Sequence, residues 1–171
     1  SIDTTPKSGS KQSQDPLLEF NRKADFILSI SGKEESRVLV QERYESLREN
    51  YFMQTTGEDP FVYYPNKESK EFVPISMITK NINLINDSMT IDEIKKLRLF
   101  DTYETGKLVY GNSNPKSINY NSLADFYYGE DFVEVRIPWQ MLNFLNPAKM
   151  VIHDDYYKHY GVQGISIDKL Y

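Results

Sequence analysis

The chain contains no cysteine. Disulfides, Cys-ligated zinc and thiol nucleophiles are therefore excluded from its stability and its chemistry. It also lacks any run of about 18 apolar residues, so nothing in it reads as a membrane-spanning helix. A basic excess is missing too. The net charge is −5, with acidic and basic side chains interspersed, and this does not build the field that nucleic-acid binding requires. No GxSxG, P-loop, dinucleotide or HExxH pattern is present. Nor does the sequence mark out two carboxylates for glycoside hydrolysis, which needs a pair about 5–9.5 Å apart. No signal peptide is visible, and the first residue is Ser1 rather than Met, as expected of a processed or excised segment.

Aromatic residues are what the chain has in quantity. Tyr (13) outnumbers Phe (9) among its 171 residues. That length suits one domain with a real core, and the ring content excludes a disordered chain. Tyr-rich composition leans towards β-structure.

Thr4 to Asp15 is polar and aperiodic and reads as loop. Residues 1–16 are thus expected to form a flexible or loop entry segment, and residues 17–171 the sandwich domain. In Ala24 to Ser31, Phe26, Leu28 and Ile30 alternate with Asp25, Ile27 and Ser29, which is strand periodicity. Gly32-Lys33-Glu34-Glu35 is a turn signal, and Ser36 to Gln41 is a second β-branched run, so a hairpin is expected. Tyr44 to Tyr51 has helical spacing, and Thr55 to Ser69 reads as loop. Glu71 to Ile78 is a strand that Pro74 pushes to a sheet edge. Thr90-Ile91-Asp92-Glu93 is a capping box opening a short helix. Lys107 to Tyr110, Phe132 to Pro138 and Ile165 to Tyr171 read as strands. Gly111 to Ser122 is an Asn-rich loop, and Trp139 to Leu145 a helical turn stopped by Asn146-Pro147. Short strands, irregular loops and few helices predict a mainly β protein, an antiparallel β-sandwich of jelly-roll kind, over a βαβ fold.

Several stretches carry a resemblance: Ala24-Asp25-Phe26, Thr105 to Pro115 (TGKLVYGNSNP), Tyr120 to Phe126 (YNSLADF) and Val133 to Phe144 (VEVRIPWQMLNF). The chain resembles the β-sandwiches of family 9 carbohydrate-binding modules and the related DOMON-like domains. The resemblance implies a non-catalytic accessory module of a larger bacterial extracellular or surface protein, with a glycan and the other domains of the same polypeptide as partners. It also implies strands before Ile2, leaving an open edge there. The alternatives are a structural domain completed by an upstream or partner strand and, last, a fragment of a glycan-acting enzyme.

Candidate binding residues follow from chemistry. An exposed ring stacks on the apolar face of a sugar. Tyr63, Tyr64, Tyr127 and Tyr156, members of the pairs Tyr63-Tyr64, Tyr127-Tyr128 and Tyr156-Tyr157, are the candidates, against the plainer reading that tyrosines fill sheet edges. Trp139, at a strand-to-helix junction, is expected to be buried as a packing plug. His153, Asp154, Asp155 and His159 lack the spacing of any catalytic metal motif and read as a polar loop. No cofactor is called for. Structural calcium, common in the resembled sandwiches, would draw on the oxygens of Asp3, Asp25, Asn112 and Asn114. Asp25 and Arg37, on neighbouring hairpin strands, are expected to pair.

Overall fold

A computed structural model describes residues 1–4, 9–42, 70–80, 86–96, 100–153 and 164–171. The expected helix at Tyr44 to Tyr51, the loop at 55–69, and Tyr63, Tyr64, Tyr156, Asp154, Asp155 and His159 lie outside the described residues.

The predicted hairpin is the centre of the fold. Strand β3 (Phe26–Ser29) pairs antiparallel with β4 (Arg37–Gln41), Phe26 opposite Val40 and Ser29 opposite Arg37. Its turn begins at Gly32, whose φ of 97° is a left-handed conformation open to glycine. Fully buried Ser36 closes it, its hydroxyl donating to the Gly32 carbonyl and accepting the Ser31 N–H. Strand β5 (Phe72–Pro74) adds to β4 and ends this sheet among the described residues. Pro74 at that edge agrees with its missing N–H.

The leading segment is more ordered than its composition suggests. Ser10–Gln12 is strand β1, paired with β2 (Glu19–Ala24). A ladder is built from backbone groups, so polar side chains facing water do not prevent it. Ile2 bridges Phe26, donating to its carbonyl at 2.9 Å, while the Asp3 N–H donates to the Tyr171 carbonyl at 3.0 Å. The edge expected to be open at Ile2 is therefore held between the hairpin and the last residues.

Strands β6 (Ser76–Lys80) and β7 (Phe100–Glu104) pair with each other. Between them in sequence is α1 (Ile91–Lys96). Its capping box forms as read: the Glu93 carboxylate accepts from the Thr90 N–H and hydroxyl, both at 2.8 Å, and Thr90 accepts the Glu93 N–H. Those bonds hold the Glu93 carboxyl below its usual pKa, the Thr90 backbone bond most.

The second half shortens several expected strands. Lys107 and Tyr110 make isolated bridges, to Arg37 and Phe126, instead of a continuous strand. Strand β8 (Phe126–Tyr128) pairs with β9 (Val133–Val135). Trp139–Leu142 is a 3₁₀ turn, followed by β10 (Phe144–Asn146), a second 3₁₀ turn (Pro147–Lys149) and β11 (Val151–His153). The last expected strand is reduced to β12 (Gly164–Ser166), paired with β11.

Phe26, Val38, Val40, Leu108, Phe126, Leu142, Phe144 and Ile152 form one buried core drawn from both halves. The protein is mainly β, and its named strand pairs are antiparallel. The described strands gather into sheets of two or three, so the expected architecture is met at that coarser level.

Candidate functional site

The alternation of β8 sets up the strongest surface feature. Phe126 points into the core at 2% exposure, and Tyr128 packs against that core. Tyr127 lies between them on the strand, so its ring takes the opposite face. Across the pair, Tyr127 stands opposite Glu134. The Gly129 N–H donates to the Phe132 carbonyl at 2.9 Å, closing the turn with Glu130 and Asp131 at its tip. Gly129 also makes room for the Phe132 ring, because a Cβ there would stand 2.5 Å from Phe132 Cε1. Phe132 is 56% exposed.

On the other side of β8, Tyr110 forms a bridge with Phe126. Its ring stacks on Tyr127 with centroids 5.7 Å apart and planes 25° apart. Tyr127 then meets Phe132 at 6.0 Å. The result is a run of three rings, Tyr110, Tyr127 and Phe132, that is continuous and partly open to solvent. The Lys33 Nζ stands 4.7 Å from the Tyr110 centroid, over its face. Asp125 accepts the Val109 N–H at 2.9 Å, and the Arg136 guanidinium donates to the Ala124 and Ser122 carbonyls, so both fix the backbone beside the run.

Of the tyrosines proposed from sequence, Tyr127 lies in this run. Tyr110 and Phe132 were not singled out. Period-two alternation could have placed Phe132 near Tyr127, whereas Tyr110 joins only through a tertiary bridge that no local pattern announces.

Of the side chains named as candidate calcium ligands, those of Asp25, Asn112 and Asn114 make hydrogen bonds within the chain. The Asn112 side chain accepts the Asn114 N–H at 2.8 Å, and the Asn114 side chain accepts the Lys116 N–H at 3.0 Å. These are Asx turns that shape the loop. Fully buried Asp25 accepts the Thr4 N–H at 2.7 Å. It does not face Arg37, which the hairpin register places opposite Ser29; Arg37 pairs instead with Glu35 at 3.2 Å and Glu104 at 3.5 Å. Among the described residues, no group of three or more His, Asp and Glu side chains could hold a metal ion.

Asp3 lines a shallow cleft of about 400 Å³ with Thr4, Arg22, Ile167, Lys169 and Tyr171. Burial raises the Asp3 carboxyl above its usual pKa, while the charges of Arg22 and Lys23 oppose that rise. The Arg22 guanidinium lies 3.6 Å from the Tyr171 centroid. A hydrogen bond to Lys169 lowers the Tyr171 phenol pKa, against the effect of burial.

Trp139 corrects an expectation. It is 45% exposed, not a buried plug, with its ring set edge-on against Phe144 at 4.7 Å. Phe144 and Leu142 already fill the interior at this turn, and the larger indole lies against Phe144 from the exposed side.

Compared with known protein families, curated proteins and solved structures, the chain matches none.

Proposed function

We propose that this chain is a non-catalytic binding module, a sandwich-like domain of a larger extracellular or surface protein, that holds a saccharide on Tyr110, Tyr127 and Phe132. The observation that carries this reading is the run of ring contacts from Tyr110, which packs against the core beside β8, through Tyr127 to Phe132 on the face of β8 and β9 away from the core. Sugar C–H groups meet the negative face of an aromatic ring favourably. Glu134, opposite Tyr127, and the turn carboxylates beside Phe132 supply acceptors for sugar hydroxyls.

Affinity electrophoresis against a panel of soluble polysaccharides tests this. The folded chain should be retarded by at least one of them. Tyr127→Ala and Phe132→Ala should each reduce the retardation about tenfold in apparent Kd while leaving the far-UV circular dichroism of the chain in place. A folded chain that no polysaccharide retards would end the saccharide reading.

A further inference from the structure

We propose that the cleft at Asp3 is a second binding site, separate from the ring run, and that it takes an acidic sugar by its carboxylate and hydroxyls. The cleft forms where Asp3 and Thr4 meet Arg22 of β2 and the residues that follow β12. Its volume of about 400 Å³ lies within the roughly 300–1,000 Å³ of small-molecule sites. Arg22 and Lys169 both line it. Both stand over the Tyr171 ring, 3.6 and 4.8 Å from its centroid. Neither makes an ion pair among the described residues, although Asp3 and Asp168 line the same cleft. A guanidinium held over a ring face keeps the N–H groups around its edge for a carboxylate. Lys169 gives one hydrogen bond to the Tyr171 phenol, which leaves two of its three donors.

The second observation is Thr4, which lines the cleft and is 2% exposed. Its N–H donates to Asp25 and its carbonyl accepts from Asn143. Its hydroxyl has no partner. An unbonded buried hydroxyl costs the fold stability, and a ligand hydroxyl relieves that cost. Asp3 and Asp168 add acceptors, and Ile165 and Ile167 add an apolar wall. These parts define the ligand class together. The two cations call for a carboxylate. The carboxylates and the Thr4 hydroxyl call for hydroxyls on the same small molecule, and the isoleucines call for C–H groups. A uronic acid carries all three. A phosphate ester would set its second negative charge against Asp3 and Asp168. A neutral sugar would leave both cations without a counter-charge.

Backbone amide NMR titrations of the full chain with glucuronate, glucose and 3-methylbutanoate at neutral pH test this. Glucuronate should move the amides of Thr4, Ile167 and Lys169 in a saturable way. Glucose, which lacks the carboxylate, and 3-methylbutanoate, which lacks the hydroxyls, should each bind at least about fivefold more weakly. Arg22→Gln should weaken glucuronate about fivefold or more. Thr4→Val removes a hydroxyl that bonds to nothing in the free protein, so its urea midpoint should hold or rise while glucuronate binding weakens about threefold. A purely structural Thr4 would leave that affinity unchanged, which would overturn the site. So would a cleft whose amides glucuronate does not move, or one that 3-methylbutanoate fills equally well. Tyr127→Ala and Phe132→Ala should leave glucuronate binding as it is. Failure at this cleft therefore leaves the ring-run reading standing, and failure of the ring run leaves this one; glucuronate shifts confined to Tyr127 and Phe132 would overturn the second site alone.

Discussion

Two hairpins of the same kind serve opposite ends in this molecule. Each is antiparallel, and each gives one face to the common core: Phe26, Val38 and Val40 from β3 and β4, Phe126 with Tyr128 and Val135 from β8 and β9. They differ in what surrounds them. The first is flanked by β5 along β4 and by the Ile2 bridge at Phe26, and its turn is tied by buried Ser36. Among the described residues, the second has the bridge at Tyr110 beside β8, with Val109 and Gly111 bonded to Phe126, and its turn carries exposed Glu130, Asp131 and Phe132. The same period-two alternation thus builds an interior in one place and a ring-lined surface in the other. The second is also the richer in rings, with Phe126, Tyr127, Tyr128 and Phe132 against Phe26 alone, so composition and neighbours act together.

The sharpest way to break that contrast is to remove one ring from each face of the second hairpin. Phe126→Ala empties a site that is 2% exposed and in contact with the Tyr110 and Tyr128 rings. It should lower the unfolding free energy by about 3–5 kcal/mol in urea titrations. Phe132→Ala, at 56% exposure, should lower it by about 1 kcal/mol or less. Equal losses would mean that Phe132 is a core residue and that the surface run is a misreading.

The first hairpin is anchored by a different kind of contact. Asp25 is fully buried just before β3 and accepts the Thr4 N–H at 2.7 Å, while Asn143 donates to the Thr4 carbonyl at 3.1 Å. Asp25→Ala would leave a buried amide without its acceptor, and it should destabilise the chain by about 1–3 kcal/mol. Asp25→Asn, which keeps an acceptor oxygen, should lose less. A neutral effect of Asp25→Ala in the same titration would show that the residues around Ile2 do not brace this hairpin.

Parts of this arrangement are legible from the residues alone, for identifiable reasons. The β3–β4 hairpin and the Thr90 capping box are local, with turn residues, alternation and a fixed offset that specify them within a few positions. Strand β1 was hidden because Ser10, Lys11 and Gln12 contribute backbone rather than apolar side chains to their ladder. The exposure of Trp139 depends on Phe144 having taken the interior place, which is a packing outcome. Of the site, Tyr127 could be proposed as a ring between two others in the strand FYY. Its partnership with Tyr110 arises from a chain path that no spacing rule encodes, whereas the amides accepted by Asn112 and Asn114 lie two residues on and are local.

Gly129 offers a gentler probe of the second hairpin. Ala at this position would press its methyl group against the edge of the Phe132 ring, the mobile end of a side chain. The fold should absorb this within about 1 kcal/mol, while the ring leaves its place 6.0 Å from Tyr127. Polysaccharide retardation should weaken several-fold with little change in the urea midpoint. A strong loss of stability with unchanged retardation would show that the turn, not the ring position, needs the glycine.

The smallest expected effect concerns Asp3, on the segment that joins the first hairpin to the last residues. Its carboxyl titrates above the usual 3.8 because burial disfavours the charged form more than Arg22 and Lys23 favour it. Protonated Asp3 is therefore better tolerated in the folded chain than ionised Asp3. The contribution is fully present below pH 3.8 and is lost as pH rises through the folded value. Asp3→Asn cannot ionise, so the stability difference, variant minus parent, should be flat in strong acid. It should then rise across that window and level off towards neutrality. Urea midpoints of both proteins, taken at a series of pH values, read this as one difference curve, in which other carboxylates cancel. A curve that falls with pH would mean that the two cations outweigh burial, and that the segment at Asp3 is held by charge pairing rather than by enclosure against the hairpin.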